Sequence, residues 1–346
     1  MEDMTTVADI TLALNTITND RLSTHWNQAF SGSNPFIVMK SSNLPGKGIM
    51  ETPGLVYGDP SRSVKKIGVL MTLTEQVIEL AGATGIDVLV AHHPVADAAS
   101  SGGVLLRTYL DLYGISVFEL HEAFHGLHPG MAFIHGHRPY HTEIAWGGVP
   151  GKIFSLGEVI EGIQTLGDIL DRVRKFAGTE DESVLLQYER EFRCLEDIDE
   201  TTIAVAAQIV LGQPNDRVKH ILHIYPHTGF DAKNLQEVIA RYPNIDTVVV
   251  SVSRVKKDHE LVRVAREAGL NMLLGSSHAN EIVENGIPLA MALQCLLPDT
   301  EVRIIREKVF SYPLRGMYGP AVEMYGDWIC NDYLIKHKGQ GNLDDQ

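Results

Sequence analysis

The chain has 346 residues, 44% hydrophobic and 21% charged, which allows a substantial core and about two domains. With 31 Gly and 15 Pro and no G-X-Y period, it is neither disordered overall nor collagen-like. The balance of 29 Lys+Arg against 44 Asp+Glu gives a formal net charge of −15, which repels polyphosphate backbones, and the densest basic stretches, Arg254–Lys257 and Arg303–Lys308, are short and interrupted. Direct nucleic-acid binding is therefore not expected.

Cys194, Cys295 and Cys330 show no C-x-x-C spacing, so neither a disulfide framework nor a thiolate zinc site is expected, and a reducing cytoplasm fits. The first residues lack a basic and apolar leader pattern, and no stretch approaches the roughly 20 apolar residues of a membrane helix, so neither export nor membrane insertion is expected. The 15 His favour imidazole over thiolate as ligands for any bound metal.

Apolar residues at helical spacing from Val7 to Ala29 predict an opening amphipathic helix, followed by a Gly/Pro/Ser/Asn-rich loop over Ser31–Ser63 that contains a short strand at Gly54. Lys66–Met71 and Ile86–Ala91 read as buried strands flanking a helix over Thr74–Ala83, and a further helix over Gly103–Tyr113 leads to a strand at Ile115–Leu120. This β-α-β succession implies a parallel sheet. Gly126–Gly151, dense in Gly, His and Pro, reads as a long loop or crossing and carries the boundary between an N-terminal α/β domain (1–145) and a second (146–320). In the second half the pattern predicts a helix over Leu166–Phe176, an extended Ser183–Tyr188, Thr201–Val210 as helix or strand, and a strand at Val218–Ile224. Alternating helices and strands then run to Glu301–Ile305, the last a strand. Residues 321–346 form a C-terminal extension whose polar end, Lys336–Gln346, reads as a frayed tail.

Four histidine segments carry candidate chemistry. His92-His93-Pro94 follows a strand, where open α/β sheets place ligand crevices; the two rings reach one centre only if the chain turns there, and Pro94 ends the strand. Loop histidines satisfied by water have the same pattern. His121-Glu-Ala-Phe-His125 matches H-E-x-x-H, but it follows a strand, Gly126 cuts off any helix, and the longer metzincin pattern fails at His128 and Met131. A strand-end loop offering ligands is the better reading than a zincin helix. His135, His137 and His141 read as exposed histidines of a glycine-rich loop. His278-Ala-Asn-Glu281 puts an imidazole and a carboxylate on one helical face, a pattern shared by ordinary caps and by metal sites.

Gly54-Leu-Val-Tyr-Gly-Asp-Pro60 and Gly85-Ile-Asp-Val-Leu-Val-Ala-His-His-Pro94 together resemble the GL-x-x-GDP segment and HHP-ended strand of the Nif3-like family (DUF34, the GTP cyclohydrolase 1 type 2 family). Phe154–Gly157 and Asp246–Glu281 resemble its second half. The resemblance implies an α/β fold of two similar domains with a metal cleft between them, two divalent ions (zinc, iron or manganese), a homo-hexamer, and a small-molecule substrate that includes nucleotides as a class. Carried onto this chain, it places metal ligands at His92, His93, His125, His278 and Glu281. Two positions depart from the family pattern. His125 stands where the family has Asp, with Glu122 as a substitute carboxylate, and His278 and Glu281 lie three residues apart where the family has four. Such a centre implies metal-assisted hydrolysis, with Glu122 and His121 as catalytic acid or base. A non-enzymatic metal-binding or scaffold protein is the rival from another class, and a zincin using His121-Glu122-x-x-His125 is a third reading.

Overall fold

The computed structural model describes residues 4–23, 31–41, 48–95, 106–144, 146–148, 152–196, 202–316 and 319–335. The chain divides into two compact units, one of Met1–Ala177 with Ala207–Glu307 and one of Gly178–Ala206 with the residues from Lys308 onward.

The larger unit begins with a capped helix, Val7–Ile17, whose N-terminus is closed by the reciprocal Thr6–Asp9 capping box. An antiparallel pair follows, β1 (Val38–Ser41) and β2 (Gly48–Glu51). Next come β3 (Gly54–Tyr57), β4 (Lys66–Leu70), helix Glu75–Thr84, β5 (Val88–Ala91), helix Leu106–Tyr113 and β6 (Ser116–Glu119). Thr74 caps the helix after β4 by accepting from the Val77 N–H, and Gly85, at φ 69, ends it in the left-handed region where a Cβ is costly.

The strands β4, β5 and β6 run parallel, and β3 adds antiparallel to β6. Helices cover both faces. Val88 and Val90 pack with Val7, Ile10, Leu14 and Leu293, while Leu89 and Ala91 pack with Val77, Ile78 and Leu110. That twofold alternation inside one unbroken apolar run is the mark of a strand covered on both sides, so the sequence shows no polar alternation there. Truncating Leu89, which is fully buried, to Ala costs about 2–5 kcal/mol.

The second sheet contains β7 (His137–Glu143), β8 (Phe154–Val159), β9 (Gln208–Leu211), β10 (His220–Ile224), β11 (Thr247–Val250) and β12 (Asn271–Leu274), in the order β7-β8-β10-β11-β12-β9. Its centre, β10-β11-β12, is parallel. Helices Leu166–Ala177, Ala232–Arg241 and Glu260–Glu267 bury Leu166, Leu235, Val238, Leu261 and Ala265. Helix Ile287–Leu296 then leads to β13 (Glu301–Ile304), which returns to the first sheet and pairs parallel with β4. The α/β class with parallel cores expected from the sequence is therefore the fold observed.

Several local expectations are corrected. Gly126–Gly151, expected as a loop, contains helix Gly130–Ile134 and β7. β7 is an edge strand, and Pro139 sits at its register shift, the position where a sheet tolerates a residue without an N–H. β7 belongs to the second sheet and β13 to the first, so each sheet takes a strand from the other half of the chain. His135 and His137 are fully buried rather than exposed.

In the smaller unit Ser183–Tyr188 is helical, within Thr179–Arg193, rather than extended. The acidic first turn (Glu180, Asp181, Glu182), Arg190 and Arg193 in the last turn, and the Glu189–Arg193 i,i+4 pair favour a helix over a short apolar run read as a strand. Pro320–Ile329 is also helical. The opening helix, expected to reach Ala29, ends at Ile17 with Thr18 as its C-cap, and its Thr24–Ala29 part lies outside the described residues, as do the polar end Lys336–Gln346 and the start of the helix expected from Gly103. Among the described residues no helix is long and apolar enough to cross a membrane.

Candidate metal centre

Every histidine segment of the site stands just beyond the carboxyl end of a parallel strand, the general ligand position of such sheets: His92 and His93 after β5, His121 after β6, His227 after β10 and His278 after β12. The chain bends at residues 92 and 93, with their N–H groups donating to the carbonyls of Leu70 and Met71. This bend lets adjacent imidazoles face one centre, their ring centroids 5.5 Å apart.

His121–Phe124 forms one helical turn rather than a loop, and His125 leaves it in extended geometry, held by Arg21, whose guanidinium donates to the His125 carbonyl at 2.9 Å. The rings of His121 and His125 lie 4.6 Å apart, and that of His92 lies 5.4 Å from each. The zincin reading required His92 and His93 to lie elsewhere; they are in the same cluster.

His92, His121 and His125 offer ligand atoms that lie within 4.8 Å of one another, as do Glu51, His121 and Glu122. Nδ1 of His92 is buried with no hydrogen-bond partner, and Nδ1 of His125, likewise buried and without a hydrogen bond, lies 3.4 Å from Glu122 Oε2. A buried imidazole nitrogen without a partner loses its hydration for nothing in return. A bound cation supplies the missing partner, so this donor set fits a metal ion.

Across the cleft, His278 starts a 3₁₀ turn, His278–Asn280, which runs through Glu281 into a π-helical turn, Ile282–Gly286, rather than the regular helix expected. Such wide turns recur at functional sites. The turn brings Glu281 to His93, with Oε2 2.9 Å from Nε2, and to His92, with Oε1 3.5 Å from Nε2. The ring of His278 lies 6.2 Å from that of His93. All seven residues singled out from the sequence, His92, His93, His121, Glu122, His125, His278 and Glu281, therefore surround one cleft, whereas His137 and His141 lie on β7 away from it.

The electrostatics follow from burial and from these pairings. Burial lowers the pKa of His92, and Glu281 opposes the shift only in part. Burial by itself raises the Glu281 carboxyl, but the His92 and His93 contacts outweigh it and hold the group well below the usual carboxylate range. Burial likewise depresses His278 and takes His227 down to about 4, with His278 beside it adding to the effect. Beneath the site, burial raises Glu284 to about 8.

Sequence reasoning missed Glu51 and His227. Glu51 is 1% exposed at the end of β2, and its Oε2 accepts from or pairs with His121 Nδ1 at 2.9 Å. His227 lines the cleft, its ring 5.0 Å from that of His278. Neither sits in a spaced motif, and their only sequence signal is a polar residue next to a predicted strand. The cleft has a volume of about 1290 Å³ and is open to solvent, with Thr142, Tyr225 and Val252 among its walls.

A Duf34/NIF3 (NGG1p interacting factor 3) family profile matches residues 47–99, the span that carries Glu51, His92 and His93. No curated protein matches the chain. Reduced HcgD from Methanocaldococcus jannaschii superposes with a TM-score of 0.55 at 15% identity, covering 87% of this chain and 97% of that one. The Staphylococcus aureus protein SA1388 gives 0.54 at 14% identity (89% and 99%), and a Bacillus cereus protein related to NIF3 gives 0.53 at 12% (90% and 100%). At these identities the structures show a shared fold.

Proposed function

From a chain that is NIF3-like in its 47–99 segment and in its fold, we propose a divalent-metal-dependent hydrolase with a dinuclear centre in the histidine cleft. The observation that carries this reading is the His92–His121–His125 group, in which His121 and His125 line a solvent-open cleft and the buried Nδ1 of His92 behind them has no hydrogen-bond partner. A purely structural metal site is closed, whereas a catalytic one keeps room for water and a ligand beside the ion.

The residues fit a cation: His92 and His125 on one side and His93, Glu281 and His278 on the other would hold it, with His121 and Glu122 beside them for proton transfer. When bound, the ions lower the pKa of water and polarise a substrate oxygen. The chain's own groups do the rest. Glu122 lies with Oε1 3.7 Å from His121 Nδ1 and Oε2 3.4 Å from His125 Nδ1, facing the cleft, and takes up a proton from water as general base. His121, in its protonated form and with its second nitrogen unligated, gives its own proton to the leaving group and is reprotonated from Glu122, whose Oε1 lies 3.7 Å from Nδ1, which restores both groups. Thr72 Oγ1, 2.7 Å from His93 Nδ1, fixes the ring so that Nε2 faces Glu281.

The substrate class is a small molecule that fits the cleft, with nucleotides of the GTP cyclohydrolase 1 type 2 kind the first to test. A homo-oligomer, hexameric by family resemblance, is part of the same proposal. In the smaller unit it is supported by exposed apolar side chains, among them Phe192 (81%), Leu314 (91%) and Met324 (71%).

Elemental analysis of purified protein beside a His92→Ala/His125→Ala variant tests the centre, followed by hydrolase screening of the loaded protein. The expected outcome is loss of bound metal in the variant and turnover by the parent. Metal content unchanged by the double substitution rejects the centre. Metal retained without turnover of any nucleotide, ester or cyclic amide favours the non-enzymatic metal-binding alternative.

A further inference from the structure

We propose that His227 is a cation ligand paired with His278 on the far wall of the cleft, both set by the strained turn at Val252 and Ser253. The proposal rests on the reading of the cleft as a divalent-metal site and adds to it a ligand that the resemblance does not supply.

The argument begins with the turn. Val252, the second residue after β11, has φ 58. A β-branched residue in the left-handed region is a genuine outlier, and such strain persists only where surrounding contacts enforce it. The Val252 N–H donates to the Ser276 carbonyl at 2.8 Å, which ties the turn to the loop carrying His278. The next residue of the turn then reaches an imidazole: the Ser253 hydroxyl meets His227 Nδ1 at 2.8 Å while also accepting the His227 N–H at 3.1 Å, and the His227 ring lies 5.0 Å from that of His278.

Ser253 engages Nδ1 of His227 and leaves Nε2 to the cleft. Metal-bound histidines almost always have the second nitrogen tied to a carbonyl, hydroxyl or carboxylate. His227 with Ser253 repeats the arrangement of His93 with Thr72 and His121 with Glu51. Glu281 supplies the negative charge that both imidazoles feel. Two imidazoles beside a carboxylate suit a divalent cation of the zinc, iron or manganese type.

Cobalt(II) titration of the metal-free full chain, followed by visible absorption and bound-metal analysis, tests the pairing in four proteins: the parent, His227→Ala, Ser253→Ala and His92→Ala/His125→Ala. The expected result is a 10–100-fold weaker affinity for one of the cobalt ions in His227→Ala, with a changed ligand-field spectrum, and a smaller loss in Ser253→Ala that Ser253→Thr restores. Circular dichroism matching the parent shows that the variant at the exposed His227 is folded. If His227→Ala binds cobalt as the parent does while the His92/His125 variant does not, the His227 assignment is overturned and the metal reading stands. If the parent takes up no cobalt, or the His92/His125 variant binds unchanged, the metal reading falls and the pairing falls with it.

Discussion

Glu119, at the end of β6, receives the Val95 N–H at 2.9 Å on one carboxylate oxygen. Its other oxygen takes the Thr52 N–H at 3.0 Å. A single carboxylate, 2% exposed, thus holds the loop just past His92-His93-Pro94 and the residue just past Glu51. Replacing Glu119 by Gln turns an amide NH₂ toward one of these two donors and leaves it unsatisfied, at a cost of about 1.5–3 kcal/mol. Urea unfolding should show that loss, and a competition titration should show metal affinity reduced at least about tenfold because both loops shift. A variant equal to the parent in both measurements would contradict the role given to Glu119.

The Thr72–His93 contact yields a contrasting prediction. Thr72→Val keeps the shape and removes only the hydroxyl that orients the His93 ring. Metal affinity should fall about 10–100-fold with the unfolding midpoint nearly unchanged, since outer partners of a ligand act on binding more than on packing. Comparable losses in both would point to a packing role instead.

His135, His137 and His223 form a buried group in the second sheet. Ser251 Oγ lies 3.0 Å from His135 Nε2 and 2.7 Å from His223 Nε2, and both ring nitrogens of His137 are buried without a partner. Burial pushes His135 down to about 4 and His137 to about 3, and holds His223 well below its usual value. Because the unfolded chain binds these protons near pH 6.5 and the folded chain does not, stability falls as pH drops from about 6.5 toward 4, by at most about 1.4 kcal/mol per pH unit for each imidazole. Urea midpoints across that range should show a steeper pH slope for the parent than for His137→Leu, which should also be at least as stable at pH 7 because it buries no unpaired nitrogen. Parallel slopes for the two proteins would remove His137 from this account.

Glu284 acts in the opposite sense. It is 1% exposed, bonded to the Ser276 hydroxyl, and its carboxyl is raised to about 8 by burial, with Glu281 adding to the shift. The unfolded chain releases this proton near pH 4.5 and the folded chain keeps it to about 8, so stability is lost as pH rises through that window. Glu284→Gln keeps the neutral shape and should flatten the parent's decline between pH 6 and 8 in thermal denaturation. Identical pH profiles would show that Glu284 is ionised in the folded protein.

The parts of the fold legible in the sequence were those where one period dominates. Lys66–Met71 and Ile86–Ala91 are unbroken apolar runs bounded by turn residues, and each contains an observed strand. β7 was hidden because an edge strand accepts a proline among polar residues, which reads as loop. The helix Thr179–Arg193 was hidden because Leu185, Leu186 and Tyr188 outweighed the charge pattern around them. In the site, His92, His93, His121 and His278 were legible from their place after strands. Glu51 and His227 were not, because what recruits them is a three-dimensional partner, His121 for one and Ser253 for the other.

The exchange of strands between the two sheets bears on how the polypeptide acquires its structure. Glu301 pairs beside Lys66, so one border of the earlier sheet is supplied only after nearly the whole later sheet has been threaded, and His137–Glu143 is surrendered to that later sheet in return. Neither half is a self-sufficient folding module. Folding is governed by contacts of long sequence separation and is correspondingly slow, and severing the chain near residue 145 leaves each fragment with a raw, adhesive strand border.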